Sequence, residues 1–420
     1  MFNKYSTRFI KTVSITKISI LSLAFLSSIW AQTSNNALNS LPPATISSRT
    51  GDSLALVALY KNMDGSNWNV KTKWLSGSPI DQWYGVTVYN DRVITIYLGE
   101  NNLSGSIPPE IGNLDELITL SLYNNEITAI PRELEKLSKL KFIYLNHNKI
   151  THLPSEIGNV ANLQNLSLSH NQIRHIPAKI GNLKQLKRLY INNNKVTSIA
   201  PEIGGLTSLE YLGLENNQLS IIPKDLAKLS KLQNLYLFDN KITHIPAKIA
   251  EIESLKDLRI KNNSLDFASL EPFYGKAMGS FYYLPQDSIG KSLNLTLSPN
   301  SKIGIKVKGS KNHYTWYLDN VAIPTAVNTD SIDIRTEGRY HVTIVSDSIP
   351  ELTLIHKTIV VTIKDAIGAK PEVLTKLLNH SPQSVTLTGK GFFRIKIHNL
   401  MGQQKLCLLY TSPSPRDSDS

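Results

Sequence analysis

His147 and His170 stand 23 residues apart, and so do His152 and His175. Imidazoles at a repeating interval can share a metal ion or pass a proton, because their ring nitrogens gain and lose protons near neutral pH. A metal site needs three or four ligands with further hydrogen bonds behind them, and two pairs fall short of that. No metal and no cofactor are expected. Carboxylates fall mainly in segments such as PEI (109–111) and SEI (155–157), where a solvated face is the plain reading. The chain has no P-loop, no G-x-S-x-G, no H-E-x-x-H and no kinase signature. No catalytic residue is assigned. The residue types left with something to do are aromatic. Tyr97, Ser121, Tyr144, Ser167, Tyr190, Gly213 and Tyr236 follow at intervals of 23 residues after a first step of 24, so that tyrosine alternates with a small residue. Tyr123, Phe142, Tyr211 and Phe238 lie two positions to either side of that series. Such side chains bind by contact and do not react.

The elements that position them are legible in the same interval. Leu117, Leu140, Leu163, Leu186, Leu209, Leu232 and Leu255 are 23 residues apart, and each opens the pattern L-x-x-L-x-L-x-x-N-x-L. A copy one residue longer starts at Val93. The eighth position after every start is asparagine: Asn101, Asn125, Asn148, Asn171, Asn194, Asn217, Asn240 and Asn263. The x-L-x-L stretch alternates with period two and predicts a short strand with its leucines inward. Segments such as IPRELEKLSKL (130–140) and LPSEIGNVANL (153–163) return along the opposite side. No single turn can bury its leucines alone, so neighbours must stack into one continuous core. The asparagines are expected to form a buried structural ladder, since buried polar groups must be paired. Convex residues such as Lys184 should matter little to stability.

Over 93–263 this pattern resembles the leucine-rich repeat family, and LSGSIPPEIGNL (103–114) resembles its plant-type form. Residues 52–88 resemble that family's N-terminal cap, with a helix from Ser53 to Tyr60 and with Trp68, Trp74, Trp83 and Tyr84 over the open end. Plant caps carry cysteine pairs and this one has none, which favours the caps of secreted bacterial proteins. SLDFASLEPFYGKAMGS (264–280) is expected to close the other end. The resemblance implies an α/β solenoid, a leucine-rich repeat horseshoe of eight repeats. Its concave sheet would carry the binding residues Tyr97, Tyr123, Phe142, Tyr144, Tyr190, Tyr211, Tyr236 and Phe238. The flanking Asn146, Asn165, Asn192, Asn193, Glu215, Asp239, Asp257, Arg259 and Lys261 would supply hydrogen bonds. Against this stands the plainer reading that aromatics favour strands and pack on one another across a sheet.

After the repeats the texture changes to short alternating runs separated by turn residues: LNLTL (293–297), IGIKVK (303–308), YTWYL (314–318), SIDI (331–334), RYHVTIV (339–345) and TIVVTI (358–363). With Trp316 and the corner-like EGRYHV (337–342), they resemble an all-β immunoglobulin-like or PKD-type sandwich, a module that usually acts as a spacer. LLNHSPQSVTLTGKGFFRIKIHNLMGQQ (377–404) resembles the start of a type IX secretion sorting domain. The stretch 406–420, which holds the single Cys407, has the texture of a non-native tail. One cysteine excludes a disulfide framework and a cysteine-ligated zinc site.

At the other end, Lys4, Arg8, Lys11 and Lys17 precede an apolar run from Ile18 to Trp30, followed by Ala31. That is the layout of a secretory signal peptide, and the run is shorter than the ~20 residues a spanning helix needs. The formal charge is +12, and the leader accounts for four of those cations. The remainder is scattered, which excludes a nucleic-acid footprint. The expected organisation is signal peptide 1–31, linker 32–49, cap 50–92, repeats with C-terminal cap 93–280, immunoglobulin-like sandwich 289–364, partial sorting domain 365–405 and tail 406–420. The expected protein is secreted or displayed on the surface of a Gram-negative bacterium, with no transmembrane segment in the mature chain. It would mediate protein–protein recognition or adhesion. Glycan binding is the alternative, because tyrosine platforms also suit sugar rings, and an accessory domain of an extracellular enzyme ranks third.

Overall fold

A computed structural model describes residues 46–364 and the backbone strands 384–388, 392–398 and 404–410. The expected signal peptide, most of the linker, the front of the expected sorting domain and residues 411–420 lie outside the described residues.

The chain enters through helix α1 (Ile46–Asn62), longer than the expected Ser53–Tyr60. Asp52, Ala55, Leu56 and Leu59 fall three or four apart and are fully buried, so one helical face covers the first repeat. The buried acid on that face is not an error of patterning. Asp52 accepts from Arg92 Nη2 at 3.1 Å and from the Val93 backbone N–H at 2.7 Å, pinning the helix to the sheet. The tryptophans behave as expected of a cap. Trp68, Trp74 and Trp83 are at most 6% exposed, and each indole N–H donates to a backbone carbonyl. Tyr84 does not join them, being exposed; Tyr60 packs against Trp68 and Trp74 in its place.

The solenoid sheet starts with an antiparallel pair, β1 (Val86–Tyr89) and β2 (Arg92–Tyr97). Short strands then add in parallel: β4 (Thr119–Ser121), β6 (Phe142–Tyr144), β7 (Asn165–Ser167), β8 (Arg188–Tyr190), β9 (Tyr211–Gly213), β10 (Asn234–Tyr236), β11 (Asp257–Arg259) and β12 (Ser280–Tyr282). A minor pair, β3 (Ser104–Ser106) and β5 (Glu126–Ala129), lies off this sheet. The return segments are five-residue 3-10 helices, such as Ser155–Asn159 and Ala178–Asn182, entered through a proline that supplies an extended backbone. Gly158 shows how closely these segments stack: a Cβ there would come within 2.1 Å of the Lys179 carbonyl oxygen.

The asparagine ladder is built as expected. The amide of Asn171 donates to the carbonyls of Leu145 and Leu168 at 2.9 and 3.0 Å, while its oxygen accepts from the Ile150 N–H at 2.9 Å. The bonds with Leu145 and Ile150 reach the preceding turn and the bond to Leu168 closes Asn171's own, so the side chain does what backbone pairing cannot do at the bend. At the N-terminal end Asn101 bonds Val70 in both directions and ties the ladder to the cap.

The array does not stop at eight turns. Met278, Phe281, Tyr283 and Gln286 stand 23 residues beyond Leu255, Leu258, Ile260 and Asn263. Phe281 pairs with Leu258 in β12, Tyr283 is buried, and Gln286 Oε1 accepts from the Leu265 N–H at 3.2 Å, as a ladder asparagine would. This ninth turn corrects the count of eight, and the expected boundary at 280 falls at the start of its strand. Its sequence is disguised because each position keeps its physical role with a different residue type.

The remaining strands form an all-β unit: β13 (Leu293–Leu297), β14 (Ser301–Lys306), β15 (Asn312–Leu318), β16 (Val321–Val327), β17 (Ser331–Ile334), β18 (Gly338–Ser346), β19 (Thr353–Ile355), β20 (Ile359–Ile363), β21 (Ser384–Thr388), β22 (Phe392–His398) and β23 (Gln404–Tyr410). One sheet runs β16-β15-β18-β20-β13-β22-β23, with β19 on β18; the other runs β17-β14-β21. Alternate residues of both, including Leu295, Ile303, Trp316 and Val342, are buried. Strand β16 was not foreseen, because Pro324 interrupts its run; it lies on a sheet edge, where a missing N–H is tolerated. Strand β23 pairs along its length with β22 and crosses the expected boundary at 405/406. The unit seats against the last turns of the solenoid. Tyr283 Oη donates to Glu351 at 3.0 Å, and Ser310 Oγ donates to Glu271 at 2.9 Å.

Candidate binding face

Parallel register turns the 23-residue interval into columns across the concave sheet. Tyr97 pairs with Ser121, Ser121 with Tyr144, Tyr144 with Ser167, Ser167 with Tyr190, and Tyr190 with Gly213. The series continues through Tyr236 and Arg259 to Tyr282. Tyr282 is 53% exposed and was missed by sequence reasoning, although it stands 23 residues after Arg259. Phe142, Tyr211 and Asp257 share the column on one side, while Tyr123, Glu215 and Phe238 share the column on the other.

Most of the tyrosines lie on the sheet in contact with one another, in one group at each end. At the N-terminal end Tyr97 and Tyr123 meet edge to face with centroids 5.9 Å apart and hydroxyls 2.9 Å apart. Toward the other end Tyr211 touches Tyr190 at 4.6 Å and Tyr236 at 5.1 Å between centroids. Two glycines make room for rings on the sheet. A Cβ at Gly213 would lie 3.0 Å from the Tyr211 ring, and one at Gly99 would collide with the Tyr123 ring. These glycines leave the floor on which the Tyr211 and Tyr123 rings lie. Burial raises the hydroxyl pKa values of Tyr123, Tyr144, Tyr190 and Tyr211, so all stay protonated donors at neutral pH. Tyr236, whose hydroxyl also donates to Asp257 Oδ2 at 2.8 Å, is pushed up to about 12.

Charge is concentrated at the C-terminal half. Arg259 pairs with Asp257 at 2.8 Å, and its guanidinium lies 4.4 Å from the centroid of Tyr236 and 5.2 Å from that of Tyr282. Lys261 Nζ stands 5.6 Å from the Phe238 ring centroid. Glu215 is mostly buried, and its Oε2 takes no hydrogen bond. Desolvation raises its pKa to about 7, overriding a bond from its own backbone and the pull of Arg259, with Asp239 adding to the rise.

A further column runs beside the ladder: Asn124, His147, His170, Asn193, Asn216, Asp239 and Asn262 all adopt φ between 53° and 55°. This left-handed turn favours short polar residues that bond locally, which accounts for residue types the sequence left unexplained. His147 and His170 stack with ring centroids 4.0 Å apart, and His170 Nε2 meets Asn193 Nδ2 at 3.1 Å. Burial lowers both imidazole pKa values. His152 and His175 line a separate surface hollow with Thr151, Leu153, Arg174 and Pro177. Among the described residues no group of three His, Cys, Asp or Glu could hold a metal ion. Asn165, whose Oδ1 is likewise buried and unbonded, and Asn146 and Asn192, bonded by Ser167 and Ser169, complete the polar centre of the face.

Two family models match the repeats: a leucine-rich repeat region over 132–212, and leucine rich repeats over 91–150 and 184–242. The chain therefore carries a leucine-rich repeat domain, and its solenoid is of that type. A probable leucine-rich repeat receptor-like protein kinase of Arabidopsis thaliana is 37% identical over 83 residues, which is 17% of this chain and 9% of the kinase. The receptor-like kinase TMK4 of the same plant is 34% identical over 77 residues, 18% of this chain and 8% of that protein. The chain thus spans under a tenth of these relatives. Among solved structures, the plant peptide hormone receptor RGFR1 in complex with RGF2 aligns at 29% identity and TM-score 0.43, over 48% of this chain and 33% of that one. Internalin C2 of Listeria monocytogenes aligns at 27% identity and TM-score 0.40, over 48% and 88%. Among the described residues no helix is long and apolar enough to cross a membrane.

Proposed function

We propose that the chain is an extracellular recognition protein whose concave sheet binds a protein or peptide partner, and whose all-β unit, immunoglobulin-like in type, spaces that sheet from its anchorage. The observation that carries this reading is the tyrosine column. The hydroxyls of Tyr144, Tyr190 and Tyr211 take no protein hydrogen bond among the described residues, while the Tyr190 and Tyr211 rings are held by neighbouring rings and Tyr211 lies over Gly213. Preorganised aromatics with free donors, set among Asn and Ser, are the chemistry of protein-binding surfaces. The immunoglobulin-like assignment is supported by Trp316, which is fully buried and donates to the Thr329 carbonyl at 2.9 Å. It is also supported by Tyr340, whose hydroxyl donates to the Thr336 carbonyl four residues upstream at 2.7 Å, in the manner of a tyrosine corner. Export through the 1–31 leader and a sorting role for 365–405 belong to the same proposal.

A displayed peptide library panned against the full chain tests the reading, with the Tyr144→Ala/Tyr190→Ala/Tyr236→Ala variant as counter-target. Peptides that bind the wild-type chain and lose at least tenfold in affinity on the variant support it. Selected peptides that bind both chains alike move recognition elsewhere. A glycan array run beside it decides for the alternative if sugars bind through the same tyrosines and no peptide does; the exposed Tyr97 and Tyr282 rings are what favour that second reading.

A further inference from the structure

The two ends of the Tyr190–Tyr282 stretch are built from the same parts, with one difference. Between Tyr236 and Tyr282 a guanidinium is already seated: Arg259 contacts both rings and is held by the carboxylate of Asp257. Among Tyr190, Tyr211 and Tyr236 the rings are again in place, and again a carboxylate lies beside them, because Tyr211 and Glu215 both reach over Gly213. Among the described residues no cation stacks on Tyr190 or Tyr211, and Arg259, seated on the far side of Tyr236, acts on Tyr211 and Glu215 only through its field. Among the described residues Glu215 has no ion pair, and its Oε2 has no hydrogen bond; its one bond is from its own backbone.

We infer that the Tyr190–Tyr211–Tyr236 cluster with Glu215 receives an arginine or lysine side chain from a basic segment of a protein partner. The inference rests on the reading that the concave sheet binds protein, and it names the chemistry of that partner. A cation over a tyrosine face is attracted by the ring quadrupole, and the attraction grows as water is excluded. A carboxylate shielded from water and left unpaired is unfavourable in its charged form, so an incoming cation relieves a cost that the free protein bears. Asp239 on the next turn adds negative charge on the same side. Arg188 lies across the cluster, pairing in register with Tyr211, and no carboxylate among the described residues pairs with it.

The test uses the full chain and three probes in isothermal titration: the peptide Ac-Gly-Arg-Gly-Arg-Gly-Arg-Gly-NH2, the same peptide with citrulline at each arginine, and cellohexaose. The arginine peptide is expected to bind at least tenfold more tightly than the citrulline peptide. Glu215→Gln should remove most of that difference, whereas Tyr211→Phe, which keeps the ring, should preserve it. Thermal melts confirm that both variants fold. Equal binding of the two peptides, unchanged discrimination in Glu215→Gln, or no binding of the arginine peptide overturns the inference. Peptides that bind alike, and that both weaken in the triple tyrosine variant, would leave the concave sheet as a peptide site and remove only the cation assignment. Cellohexaose binding that depends on the tyrosines and not on Glu215 would overturn both.

Discussion

Two columns share the 23-residue interval and differ in everything else. The asparagine ladder keeps one residue type over its eight rungs, at most 9% exposed, and from Asn125 to Asn263 each amide bonds to backbone on its own turn and on a neighbouring one. The tyrosine column alternates large with small, is half exposed, and leaves several hydroxyls without a protein partner. At the bend a single geometry has to be met in every turn, because each backbone group there needs the same partner at the same place. On the concave face the strands satisfy their own backbone, so the side chains are free to vary. Invariance marks what holds the solenoid together, and variation marks what it has to spare for a partner.

The comparison breaks first on the ladder itself. Asn171→Ala removes donors from the Leu145 and Leu168 carbonyls and the acceptor of the Ile150 N–H. With those groups buried, the loss should be roughly 1–3 kcal/mol, read by thermal or denaturant melts. A variant that melts like the wild type would show that water replaces the amide and that the ladder is not structural.

The tyrosines should cost less, and unequally. Tyr211 has a ring on either side, so Tyr211→Ala should lose about 1 kcal/mol of stability. Tyr144 makes no ring contact, and Tyr144→Ala should lose less than that. Losses as large as that of Asn171→Ala would make the column a packing device and blur the contrast. The convex control is Lys231, which is exposed; Lys231→Ala should stay within about 0.5 kcal/mol. Lys184 is unsuitable, contrary to expectation, because its ammonium donates to the carbonyls of Gly181 and Gly205 at 2.9 and 2.8 Å and bridges two turns.

The smallest effect is a slope. Glu215 keeps its proton in the folded chain up to about pH 7, above the ordinary carboxylate value of 4.5. A raised acid contributes stability that is fully present below the ordinary value and is lost as pH climbs through the folded value. Stability should therefore fall from about pH 4.5 to 7 through this group, and Glu215→Gln should remove that fall. The stacked His147 and His170, their pKa values lowered, act in the opposite sense as pH drops below the ordinary imidazole value, so the measurement is the difference between variant and wild-type melts. Identical pH profiles would show that Glu215 is well solvated.

Much of this was written in the chain. The interval of the leucines, the eight asparagines and the indoles of the cap specified strands, ladder and cover, because a short-range pattern repeated in register has one way to bury its apolar side. The ninth turn was there too, with Met278, Phe281, Tyr283 and Gln286 holding the positions of three apolar residues and an asparagine, but only the tertiary contacts revealed that these residue types do the same work. The sequence alone likewise placed the tyrosines in one column. It did not say that Tyr211 lies over Gly213, that Asp52 crosses from the helix to Arg92, that Lys184 joins two turns, or that Glu215 Oε2 is left without a hydrogen bond. Periodicity determines which residues become neighbours across strands. How far a ring tilts, which carboxylate meets a cation and which stays unpaired depend on side-chain packing among residues distant in the chain, and that was decided only by the folded structure.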